Sequence, residues 1–124
     1  MKKVLGLGNA LVDILVRVDH DLLRRLELPK SCMTLVSASQ VNAILKQVSA
    51  LAPQEACGGS AANTIAGLAR LGAPTGYIGK VGHDPYGEFF AAEMRRHGTD
   101  ARMFFGAAQT GRALGLITPD SERT

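Results

Sequence analysis

The chain has 124 residues, of which 46% are hydrophobic and 20% charged; this excludes a disordered tail and allows a core without a metal or disulfide staple. A formal charge of +3 demands no nucleic-acid partner, and four Phe, two Tyr and no Trp are too few for a base-stacking surface. Cys32 and Cys57 fit neither a zinc pattern nor a disulfide framework, which points to reduced thiols and a cytoplasmic protein.

The opening, MKKVLGLGNALVDILV, is broken by Asn9 and Asp13 and lacks a small-x-small cleavage site, so it does not read as a secretion signal. No stretch approaches a membrane span. Residues 3–8 are a short apolar run ending in glycine, a buried strand. Residues 14–18, rich in β-branched side chains, predict a second strand, and 21–28 (DLLRRLEL) a short helical turn closed by Pro29. Residues 32–36 (CMTLV) predict a third strand. Ser37 and Gln40 have capping-box spacing ahead of Val41, Ile44, Leu45, Val48 and Leu51, which repeat at helical intervals. Residues 52–60 read as a loop, followed by a helix that Gly72 ends and Pro74 keeps from continuing. Residues 75–81 predict a strand. Asp84 is placed to cap the next helix, with Pro85 at its first position and Gly98 closing it. Residues 102–106 and 112–118 predict two strands joined by a turn at Gln109–Thr110–Gly111. Arg24–Arg25 and Arg95–Arg96 fall on helices as solvated faces. Strands alternating with helices indicate an α/β fold with a mainly parallel central sheet.

Three motif matches fail on their chemistry. Gly6-Leu7-Gly8-Asn9-Ala10-Leu11 starts like a dinucleotide fingerprint, but Leu11 stands where helix–strand packing needs a small residue. Gly79-Lys80 lacks both the earlier glycine and the hydroxyl residue of a P-loop, since Pro74 and Val81 occupy those positions. Gly58-Gly59-Ser60 approximates a nucleophile elbow, which would make Ser60 a hydrolase nucleophile; the residues before it are not strand-like, and no acid is ordered for a triad with His83 or His97.

What survives is a ligand loop. Two glycines precede a helix rich in small residues, so backbone can approach a ligand and the free N–H groups of the helix start can face its oxygens. Asn63 adds a donor and an acceptor in the first turn. Asp13 stands between two apolar triplets and must find partners. It is either a turn aspartate at a strand end or a carboxylate accepting two hydrogen bonds from a vicinal diol, with Asn9 four residues earlier.

Together the segments GLGNALVDILVRVD, GGSAANTIAGLARLG, YIGKVGHDPYGEFF and TGRALGLITPDSERT resemble the start of the ribokinase/PfkB family of sugar and nucleoside kinases. The matching signature is Gly58, Gly59, Asn63, Gly79, Val81, Gly82, Asp84 and Gly87. The resemblance implies a ribokinase-like three-layer α/β sandwich with a small β-sheet lid, incomplete in this chain, and transfer of phosphate from ATP, with Mg2+, to a hydroxyl. It implies that Asp13 grips sugar hydroxyls beside Asn9, that Gly58, Gly59 and Asn63 line the same site, and that the lid uses the strands near 14–18, 32–36, 102–106 and 112–118. Arg123 matches an arginine near the transferred phosphate. Ser60 replaces a lysine common in ribose-specific members, which leans towards the adenosine-kinase-like branch or a related bacterial one. The family's D-T-x-G-A-G-D and N-x-x-E motifs are absent. Residues 1–124 are therefore expected to be the N-terminal part of one kinase domain, with no catalytic, ATP or metal residues, inactive alone and self-associating through the lid or an exposed sheet edge. The alternatives are a short sugar- or nucleoside-binding module without enzymatic activity and, behind it, a serine hydrolase using Ser60.

Overall fold

The computed structural model describes residues 2–124. In chain order the elements are β1 (Val4–Leu7), β2 (Leu11–Arg17), α1 (His20–Arg25), α2 (Ala38–Val48), β3 (Gln54–Gly58), α3 (Ser60–Arg70), β4 (Thr75–Gly82), α4 (Pro85–Arg96), β5 (Thr99–Gly106) and β6 (Gly111–Ile117). A 3-10 turn, Ser49–Leu51, extends α2. Two three-stranded sheets result, in the orders β1-β4-β5 and β3-β2-β6. The chain divides into two units, one comprising the residues up to Val12 and Ala56–Ala113, the other Asp13–Glu55 and Leu114–Thr124.

The first unit holds the parallel sheet. β4 is central, pairing Val4 with Thr75 on one side and Thr75 with Thr99 on the other, both in parallel register. Helices α3 and α4 pack on this sheet. They cover one face: Tyr77, Val81 and Ala101 from the strands, with Ile65, Phe90 and Met94 from the helices, are buried. The rings of Tyr77 and Phe90 meet at 5.6 Å between centroids. The opposite face carries Leu5, Leu7, Ile78 and Phe104, alternating along the strands with the covered residues; Leu7 is 75% and Phe104 65% exposed. Local chemistry sets the helix ends. Asp84 caps α4 through the Gly87 N–H at 2.9 Å, and Gly72 and Gly98 take positive φ where α3 and α4 stop.

The second unit buries Val16, Val18, Leu22, Leu23, Val48 and Leu116 in one cluster. Asp19 accepts the Leu22 N–H at 2.6 Å to start α1, and Ser37 and Gln40 complete the capping box of α2. The C-terminal residues return along β6 through an antiparallel bridge, Ile117 to Arg123.

The strand expectations need four corrections, the first at β1, which was expected to be buried and has Leu5 and Leu7 exposed on the uncovered face. Residues 32–36 form no strand: Met33 and Leu35 are 98% and 99% exposed, and β propensity without a ladder partner does not hold an extended segment in a sheet. Residues 102–106 do not belong to the second sheet; as the end of β5 they pair with β4, so the turn before β6 joins strands of different sheets. Residues 54–58, read as a loop, are β3. This strand lies at the edge of its sheet with Gln54, Glu55 and Ala56 exposed, so it needs no apolar alternation to form.

Candidate functional site

In the first unit the loop after β1 meets the start of α3. Gly59 has φ +96°, a backbone open to glycine and costly for other residues. A Cβ there would lie 2.6 Å from the Asn9 carbonyl oxygen. Close approach of two backbones, with no side chain between them, thus joins Asn9 and Gly59. Gly58 is buried at the end of β3, while Asn9, Ser60 and Asn63 are exposed. No side chain caps α3, and its backbone begins with the Asn63 N–H donating to the Gly59 carbonyl at 2.9 Å.

Asp13 lies in the second unit. It is the third residue of the seven-residue β2, half-buried, on the opposite face of the strand from buried Val12, Ile14 and Val16. The strand-end turn reading therefore fails, because Asp13 is mid-strand. Among the described residues its carboxylate accepts no hydrogen bond, so both oxygens stay available to a ligand hydroxyl. Arg123 is also in this unit, exposed on the return strand, with its Cδ 3.7 Å from where a Cβ on Gly115 would stand.

Ser60 does follow a strand, β3, contrary to expectation. The elbow still lacks its parts. The positive φ belongs to Gly59, not Ser60. His83 stacks on Phe105 with centroids 5.2 Å apart, and His97 lies 3.0 Å from Glu93 and 3.1 Å from Arg70. No metal could be held by a cluster of His, Cys, Asp or Glu among the described residues. Their helices include none long and apolar enough to cross a membrane.

Two residues escaped the sequence reading. Thr110 donates its amide to Asp84 at 2.8 Å and its hydroxyl at 2.7 Å, and that hydroxyl accepts the Gly82 N–H at 2.9 Å. Burial alone would raise the Asp84 carboxyl, but the Thr110 and Gly87 hydrogen bonds and the Arg112 charge outweigh it, and its pKa lies below the ordinary 3.8. Gly87 is small for a reason: a Cβ there would lie 2.3 Å from the Gly82 carbonyl oxygen. The signature residues Gly82, Asp84 and Gly87 thus form a structural knot with Thr110. Tyr77, the second residue, is fully buried, and its hydroxyl donates to the Gly8 carbonyl at 3.1 Å. Burial pushes that hydroxyl above its ordinary 10.0, with Cys57 adding to the rise, so it remains a protonated donor. Gly79, two residues along the strand from the tyrosine and leaving room for its ring, was the available signal.

Comparison with known proteins identifies the family. A family model described as pfkB family carbohydrate kinase matches residues 32–124. The 5-dehydro-2-deoxygluconokinase of Clostridium perfringens is 46% identical over 59 residues, 48% of this chain and 17% of that enzyme. A probable sugar kinase from Rhizobium etli superposes with a TM-score of 0.75 at 35% identity, over 98% of this chain and 37% of that one. Adenosine kinase from Sinorhizobium meliloti gives 0.74 at 37% identity, with the same two coverages. The chain thus spans well under half the length of these relatives. With the model matching three quarters of its length, this chain belongs to the pfkB family of carbohydrate kinases.

Proposed function

We propose that the chain supplies the acceptor-binding part of an ATP-dependent kinase that phosphorylates a hydroxyl of a sugar or nucleoside. The observation that carries this is the approach of Gly59 to the Asn9 carbonyl, which leaves backbone and the Asn63 side-chain amide at the start of α3 open to a polyhydroxylated ligand. In this reading Asn9, Gly58, Gly59 and Asn63 face the acceptor. Asp13 joins them through the family resemblance and its own chemistry: a carboxylate with two uncommitted oxygens matches two vicinal hydroxyls. The sheet β3-β2-β6 corresponds to the small lid, built from β2, β6 and β3 rather than from residues 32–36 or 102–106.

ATP and Mg2+ enter only through the family. No residue of this chain is assigned to either reagent, and Arg123 stands, through the family resemblance alone, as a candidate for a phosphate contact. The chain alone is expected to transfer no phosphate, since a general base and an anion hole each contribute orders of magnitude in rate.

The test is ligand titration of the 124-residue chain by NMR with fructose, ribose, 5-dehydro-2-deoxygluconate and adenosine, beside an ATP-consumption assay. Shifts at Asn9, Gly59 and Asn63 with one of these acceptors, without turnover, support the reading. No shift with any of them counts against acceptor binding, and acceptor-dependent turnover removes the expected inactivity.

A further inference from the structure

We propose that Tyr77 is a positioning residue for the acceptor site, its hydroxyl setting the peptide plane between Gly8 and Asn9; this rests on the acceptor reading above. Tyr77 lies in the middle of β4, the central strand, with no exposed surface. A buried phenol needs a hydrogen-bond partner, and this one has the Gly8 carbonyl at 3.1 Å. The Gly8 N–H donates in turn to the Ile78 carbonyl at 3.3 Å. Both backbone groups of Gly8 are therefore held by neighbouring residues of β4.

The consequence falls on Asn9. The chain has no cis peptide bond among the described residues, so a carbonyl turned towards Tyr77 turns the Asn9 N–H the opposite way. The same peptide unit leads to the Asn9 carbonyl, against which Gly59 packs. One phenolic hydrogen bond thus fixes a backbone donor of the loop and the surface on which the glycine turn rests.

Packing does not account for the hydroxyl. The ring fills space left by a missing side chain: a Cβ at Gly79 would lie 2.7 Å from its Cε1. A phenylalanine ring would occupy that space equally well. What only tyrosine supplies is the bond to Gly8.

The experiment compares the unsubstituted chain with Tyr77→Phe and Thr99→Val. Thr99 shares a buried hydroxyl contact of 3.1 Å with Thr75, so its loss removes one buried hydrogen bond from the same sheet without touching Gly8. Three readings are taken: urea midpoint, amide exchange at Asn9 and Ala10, and NMR titration with fructose, ribose, 5-dehydro-2-deoxygluconate and adenosine. Tyr77→Phe is expected to speed exchange at Asn9 and Ala10 and to weaken acceptor binding about fivefold to tenfold, the equivalent of one ordinary hydrogen bond. Thr99→Val is expected to lower the urea midpoint comparably and leave loop exchange and binding unchanged. Unchanged loop exchange in Tyr77→Phe, or unchanged acceptor affinity beside a loosened loop, overturns the positioning role while leaving the acceptor site standing. Equal weakening of binding by both variants also overturns it, because stability alone would then explain the loss. Absence of binding by the unsubstituted chain removes the acceptor reading and the positioning role together.

Discussion

Thr110 gives both its amide and its hydroxyl to the Asp84 carboxylate, at 2.8 and 2.7 Å, across 26 residues of chain. The same carboxylate caps α4 through Gly87. One side chain therefore ends the loop after β5 and begins a helix. Asp84→Ala is expected to destabilise the chain by about 1–3 kcal/mol, the sum of a lost cap and a stranded Thr110 amide. Urea denaturation measures it, and a loss within error of zero would show that the knot is dispensable.

The knot also sets a pH dependence. The Asp84 pKa is depressed in the folded chain, so its stabilisation is fully present above the ordinary value of 3.8 and disappears as pH falls through the lower folded value. The difference in stability between the parent and Asp84→Asn is expected to shrink on acidification below that range. Denaturation curves collected from neutral pH downwards would expose a constant difference if the charge were irrelevant.

Gly59→Ala places a Cβ 2.6 Å from the Asn9 carbonyl at a φ of +96°. Backbone strain of this kind costs about 1–3 kcal/mol. Both a lower melting temperature and loss of acceptor binding are expected. The equivalent change at Gly67, where a Cβ meets nothing within 4 Å, should do neither and serves as the control.

Asp13→Ala should act on binding rather than folding, because among the described residues nothing donates to its carboxylate. Acceptor affinity is expected to fall by about 2–5 kcal/mol, the range for losing a charged partner in a desolvated contact. Calorimetry on the parent and the variant decides it; equal affinities would take Asp13 out of the acceptor-binding set.

The bare face of the parallel sheet predicts association. Parallel sheets normally carry cover on both faces, and here Leu5, Leu7 and Phe104 meet solvent. Sedimentation of the chain at tens of micromolar should reveal oligomers (an order-of-magnitude choice for a weak apolar contact), and Leu7→Lys with Phe104→Lys should dissolve them. A monomer in both forms would mean that this face does not drive self-contact.

The helix ends were readable because each is written in a few adjacent residues: Ser37 with Gln40, Asp84 with Pro85, Gly72 and Gly98. Gly59 was readable for the same reason, as half of a glycine pair before a helix. Sheet membership was not. Residues 32–36 have stronger β propensity than Gln54–Gly58, yet the latter found a ladder partner and the former did not. Pairing is decided between distant segments, and propensity is a local quantity. Likewise Thr110 looked like turn punctuation and Tyr77 like one more strand aromatic. Their roles depend on partners 26 and 69 residues away.

The ring of Tyr77 and the empty position at Gly79 amount to a single volume shared by two residues, whereas the empty positions at Gly6 and Gly8 admit Ile65 and Ala61. A methyl gained at position 79 leaves no room for the present ring, so it requires a smaller side chain at 77. That smaller side chain would forfeit the bond to Gly8. Tolerated changes at 77 and 79 should therefore travel as matched pairs, and a library randomised at both would recover combinations that no single-site scan contains.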